Sequence, residues 1–134
     1  MAIEWSEDLA TGINEIDNQH KEIFRRINGL LDACNQRRGK EEAGSVIRFL
    51  DDYVVTHFSG EERYMTMHNY PNYTSHKEQH TVFIKNLSAL KGQLEKEGTG
   101  VHIVVATNHM VVDWLKNHIR RVDKVLGTFL KTKL

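Results

Sequence analysis

The chain has 134 residues, with 18 basic and 18 acidic side chains and a lone cysteine; it is long enough to bury a core and cannot form an intramolecular disulfide. A formal charge of zero offers no electrostatic footprint for nucleic acid or a membrane surface, and no apolar run approaches the ~20 residues of a spanning helix or reads as a signal peptide. The expectation is a cytoplasmic protein forming one domain over 1–134, with no nucleic-acid partner and no membrane insertion, and with a neutral, mixed surface that suits a monomer.

Elements follow from apolar positions that recur at alternating spacings of three and four. Residues 1–15 contain Trp5, Leu9 and Gly12 and read as an extended arm, about 1–16, whose apolar side chains lie against the rest. A first helix carries the stripe Ile13, Ile16, His20, Ile23, Ile27, Leu30 and Cys34 and ends before Gly39. A second carries Val46, Leu50, Tyr53, His57, Glu61 and Tyr64 and stops near Asn69, with Pro71 beyond it as a terminator. The third is the cleanest: His76, His80, Phe83, Leu87, Leu90 and Leu94, ending near Gly98. A fourth reads Val101, Val104, Asn108, Val111, Leu115, His118 and Val122, and a short C-terminal helix follows through Val125 and Phe129. Connections of about five to eight residues force neighbours antiparallel. The expected fold is all-α: an up-down-up-down four-helix bundle over about 17–120, with the N-terminal arm and a C-terminal tail over about 121–134.

Each stripe places at least one histidine where an apolar core residue belongs. Burying an imidazole without a partner costs about 1–3 kcal/mol, and five would strain a fold whose total stability is ~5–15 kcal/mol. A metal that binds them removes the difficulty. His76 and His80 lie four apart, so they project about 40° from one another on one helical face, a chelating arrangement. His57 and Glu61 repeat that spacing with a nitrogen and an oxygen. His118 and Asp123 are five apart, about 140° around an ideal helix. They converge only if the helix distorts there or if Asp123 reaches across between two metals.

The candidate ligands are therefore His20, His57, Glu61, His76, His80, His118 and Asp123. Seven are too many for one ion and suit two, provided that both carboxylates bridge. The imidazole-rich set suits iron, copper, zinc or nickel, and spacing does not choose among them. Glu62 points away from this face and reads as a solvated acid; His68 reads as a helix-end residue, His102 and His109 as surface residues, and Cys34 as core packing.

These residues resemble the hemerythrins, the single-domain bacterial ones in particular. The resemblance is carried by the run from Gly12 to His20, by His57-Phe58-Ser59-Gly60-Glu61-Glu62, by Tyr70-Pro71 leading to His76-Lys77-Glu78-Gln79-His80, and by Trp114-Leu115-Lys116-Asn117-His118-Ile119 with Asp123. It implies two iron ions, a non-haem di-iron centre with a bridging oxo or hydroxo group. His76, His80 and His118 would hold one iron, His20 and His57 the other, and Glu61 and Asp123 would bridge them. Ile23, Phe58, Trp114, Leu115 and Ile119 match the apolar oxygen pocket by position. The implied function is reversible dioxygen binding, as a carrier, store or supply to an oxygen-consuming enzyme, and not enzymatic catalysis. The alternatives are oxygen or redox sensing through a partner protein, or a di-iron enzyme such as a peroxidase or nitric oxide reductase. Carboxylate-rich oxidising centres use Glu-x-x-His pairs, and none occurs here.

Overall fold

The computed structural model describes residues 3–36 and 40–134. Three helices, α1 (Asn14–Asn35), α2 (Lys40–Met67) and α3 (Tyr73–Glu97), are followed by a fourth rod over residues 101–131. Helix α1 packs on α2 and on the fourth rod, and α3 packs on the same two, which closes a four-helix bundle. Among the described residues there is no strand, and no helix is long and apolar enough to cross a membrane. Helix α1 begins at Asn14, so it takes in the last three residues of the expected arm, and residues 37–39, where its end before Gly39 was expected, lie outside the described residues.

The stripe of α3 is its buried face residue for residue; that of α1 from Ile16 to Cys34 is buried too, and Asp17, Phe24, Leu31 and Ala33 widen the face beyond it. In α2 the buried line is instead Ala43, Ile47, Leu50, Val54, His57, Phe58, Glu61 and Met65, so Val46, Tyr53 and Tyr64 flank the core half-buried. The fourth stripe departs further: Val101 is 77 % exposed, and the buried line starts at Ile103, Thr107 and Val111. The cause is local. The rod is α-helical over Val101–Thr107, Trp114–His118 and Lys124–Lys131, and π-helical over Asn108–Asp113 and Ile119–Asp123. Each π turn spans one residue more than an α turn, so no single period describes the rod. The expected C-terminal helix is its last segment, reached without a break through helical backbone at Asp123 and Lys124.

Among the described residues two apolar clusters result. The larger includes Ile23, Ile27, Leu50, Phe58, Phe83, Leu115 and Ile119. The smaller joins Ile13, Ile16, Met65, Tyr70, Leu126 and Leu130. Between them, on all four rods, lie the buried histidines and acids.

Two features hold this arrangement in register. At the end of α2, Asn69 takes a left-handed φ of 55°, the N–H of Tyr70 donates to the carbonyl of Met65 at 2.8 Å and that of Asn69 to Thr66 at 3.4 Å. This is a Schellman closure with asparagine at the left-handed position, and Tyr70 packs in the same cluster as Met65. The turn brings the chain back so that α3 presents His76. The arm is tied down by Asp17, whose carboxylate accepts from the N–H and hydroxyl of Thr11, both at 2.8 Å. Gly127 lies beneath that loop; a Cβ there would stand 2.3 Å from the carbonyl oxygen of Thr11, so the close approach requires glycine.

Candidate metal centre

All seven expected side chains point into one space between the two apolar clusters. His20, His57, Glu61, His76, His80, His118 and Asp123 are each no more than 2 % exposed. Helix α1 contributes His20, α2 contributes His57 and Glu61 one turn apart, α3 contributes His76 and His80 one turn apart, and the fourth rod contributes the last two. The π turn over Ile119–Asp123 answers the spacing problem posed by His118 and Asp123. Hydrogen bonding from i to i+5 stacks residues five apart, and the two side chains share a face. Of the two ways in which they could converge, the helix takes distortion.

The donor atoms fall into two sets, within each of which all lie within 4.8 Å of one another. One comprises Glu61, His76, His80, His118 and Asp123; the other comprises His20, His57, Glu61 and Asp123. Each carboxylate divides its oxygens between the sets. Oε1 of Glu61 faces Nε2 of His80 at 3.1 Å and of His76 at 3.5 Å, while Oε2 faces Nε2 of His57 at 3.1 Å and of His20 at 3.6 Å. Oδ1 of Asp123 faces His76 at 3.0 Å and His118 at 3.1 Å, and Oδ2 faces His20 at 3.1 Å.

Every imidazole thus turns Nε2 inward, and three fix that orientation from behind. Nδ1 of His57 donates to Oε1 of Gln19 at 2.5 Å, Nδ1 of His80 to Glu62 at 2.9 Å, and Nδ1 of His118 to Oε1 of Gln79 at 2.8 Å. An N–H committed outward leaves the Nε2 lone pair facing the centre. The five Nε2 atoms and four carboxylate oxygens are buried and make no hydrogen bond. Two buried ionised carboxylates facing five imidazole nitrogens need compensating positive charge, as protons or as a cation, and this donor set fits a bound metal.

The electrostatics agree. Burial pushes Glu61 and Asp123 upward; the Glu61 charge also raises Asp123. The imidazoles, His57 foremost at Glu61 and His118 at Asp123, outweigh these effects and hold both acids well below the usual carboxylate range. For His20 and His76 burial acts downward, and the adjacent Asp123 and Glu61 override it to bring both to about 9. The site draws positive charge strongly enough to take protons that isolated imidazoles would release.

The expected pocket residues lie in or against the larger cluster. Ile23, Phe58, Leu115 and Ile119 are buried and Trp114 is half-buried. Phe58 stacks on His80, centroids 3.8 Å apart and planes at 4°, and Trp114 stacks on His118 at 4.7 Å and 12°. Two aromatic plates therefore close one side of the imidazole set. Elsewhere, His102 and His109 are exposed beside Glu97 and Asp113, His68 is half-buried just past the end of α2, and Cys34 is buried, its thiol pushed up by that burial.

Glu62 corrects the sequence reading: it is an acceptor for His80 and not simply a solvated acid. Gln19 and Gln79 were not found at all. A signal exists, since each of the three is adjacent in sequence to an inward-facing residue: Gln19 to His20, Glu62 to Glu61, Gln79 to His80. A neighbour on a helix sits about 100° around, which aims it at the adjoining helix, where the next imidazole presents its outer nitrogen.

The profile of the Hemerythrin HHE cation binding domain matches residues 11–130. The chain is 39 % identical over 121 residues to the bacteriohemerythrin of Pseudomonas aeruginosa, covering 89 % of this chain and 75 % of that one. It is 33 % identical over 123 residues to the bacteriohemerythrin of Methylococcus capsulatus, covering 92 % of each. A crystal structure of wild-type hemerythrin superposes with a TM-score of 0.83 at 31 % identity, over 96 % of this chain and 97 % of that one.

Proposed function

Since the chain belongs to the hemerythrin family, we propose that it binds dioxygen reversibly at two iron ions held by the seven converging side chains. His76, His80 and His118 would hold one ion and His20 and His57 the other, with Glu61 and Asp123 shared between them. Bound there as a ferrous pair, the two ions would supply the two electrons that oxygen binding draws on and that release returns.

The chain's own residues favour carriage over catalysis. Five neutral imidazoles against two carboxylates suit the ferrous state better than a carboxylate-rich shell does. Ile23, Leu115 and Ile119, buried in the larger apolar cluster, would set hydrocarbon beside the centre, and Phe58 and Trp114 stack on His80 and His118. Such a wall would exclude water and protons, which would otherwise release the oxygen as peroxide. Gln19, Glu62 and Gln79 hold three imidazoles in one tautomer and one orientation, so no reorientation accompanies binding.

The observation that carries the reading is the division of each carboxylate between the two donor sets. One oxygen of Glu61 and one of Asp123 face each side, as two ions sharing two bridges require. The test is to load the protein anaerobically with ferrous iron, count iron per chain, add air and then degas while following the visible spectrum. Two irons and a charge-transfer band that appears with air and fades on degassing support the proposal. A single ion, or oxidation with no reversible band, overturns it.

A further inference from the structure

The three outer acceptors differ in charge. Gln19 and Gln79 offer neutral amide oxygens to His57 and His118, whereas Glu62 offers a carboxylate oxygen to Nδ1 of His80 at 2.9 Å. His20 and His76 keep buried Nδ1 atoms without a protein partner. Among the described residues, the one anionic acceptor therefore serves the set of His76, His80 and His118, and the set of His20 and His57 has none. An ionised carboxylate can only accept, so it fixes the proton on Nδ1 of His80 and makes Nε2 a stronger donor; an amide fixes the tautomer and adds no charge. The ring of Phe58 lies flat on His80, which shields one face of this relay from water. Glu62 itself is 22 % exposed and lines a groove of ≈ 260 Å³ with Lys77, Lys85 and Ile84.

Resting on the di-iron reading above, we infer that Glu62 is a positioning residue that sets the redox balance between the two halves of the centre. Its negative charge, acting through His80, makes the three-histidine half the easier one to oxidise. Oxidation there removes one electron from iron and raises the local charge by one, which a carboxylate behind the ligand favours and an amide does not. In a titration the electron passes to a chemical mediator.

The experiment is an anaerobic redox titration of the iron-loaded protein, with Mössbauer spectroscopy to distinguish the two irons. Glu62→Gln keeps an acceptor and removes the charge. The oxidation constant of the three-histidine iron should fall on the order of tenfold, the smaller end of what changes to a ligand's outer partner do to metal affinity, or about 59 mV for a one-electron couple. The other iron should be nearly unmoved. Adding Gln79→Glu to that variant returns the charge to the same half through His118 and should restore the potential. A merely structural role for Glu62 would not be repaired from a different histidine. An unshifted potential in Glu62→Gln, or a shift that Gln79→Glu does not reverse, overturns the inference. Should Glu62→Gln fail to hold iron, Gln79→Glu alone must lower the potential of the three-histidine iron, and no change there also overturns it. Failure of the parent protein to take up two irons is seen in the iron count before any potential is read, and it sinks the di-iron reading instead.

Discussion

Asp123 stands five residues beyond His118, yet its Oδ1 lies 3.1 Å from Nε2 of that histidine, because the backbone between them makes one turn of π-helix. In an α-helix the two side chains would diverge by about 140°. The extra residue thus converts a helix that could present one donor here into one that presents two. The second is the carboxylate that faces both donor sets.

Asp123→Asn tests that sharing. The amide keeps the volume and one oxygen, but it cannot give a charged oxygen to each side. Metal retained after dialysis should fall below two ions per chain, with at least about a tenfold loss of affinity, while helical circular dichroism is unchanged. Retention of two ions at parental affinity would remove Asp123 from the bridging role.

How much of this was legible depended on the element. In α1 and α3 a uniform helical period runs from end to end, so Ile16 to Cys34 and His76 to Leu94 could be read directly as buried faces. In the fourth rod two π turns break the period, so the stripe is buried at Val111, Leu115 and His118 but starts on the exposed side at Val101. The inward-facing donors were visible because a histidine among isoleucines and leucines is conspicuous. Their supports were not. Gln19 and His57 are 38 positions apart and Gln79 and His118 are 39 apart, and polar residues beside a buried stripe look like any solvated helix face until the neighbouring helix is in place.

Gly127→Ala probes the seat of the arm. The new methyl would meet the carbonyl oxygen of Thr11 at 2.3 Å, so the loop tied to Asp17 must lift. The expected cost is about 1–3 kcal/mol, read as a lower urea midpoint. The nearest atoms to the new methyl all belong to Thr11 and none to the seven donor side chains, so metal stoichiometry should stay at the parental value. An unchanged midpoint would show that the loop yields freely.

Proton competition should govern metal uptake. His20 and His76 are raised to about 9 by Asp123 and Glu61, which outweigh burial. Both are therefore protonated at neutral pH in the metal-free protein and must lose those protons to ligate. Affinity should climb with pH until about 9 and then level, with protons released on loading in weakly buffered solution. The metal-free protein should show the opposite slope. Its two imidazoles titrate above their ordinary value of 6.5, so the stability they contribute is full below that value and is lost as pH rises to about 9. A melting temperature of the chelator-treated protein that rises over this window would contradict the assignment of charge to these two residues.

Leu115→Ala separates wall from ligand. Leu115 is 1 % exposed in the larger cluster, three residues before His118 on the rod, and it has no donor atom. Truncation should cost about 2–5 kcal/mol through lost burial and the cavity left behind, with two irons still bound. On the proposed function, the cavity would also admit water beside the imidazoles, and an oxygenated form should decay faster to an inert oxidised form. Autoxidation followed in air at constant pH measures this. Faster decay with unchanged iron content places Leu115 in the barrier that keeps protons from the centre. An unchanged rate at reduced stability would mean that Leu115 serves the core alone and that the remaining wall of Ile23, Phe58 and Ile119 suffices.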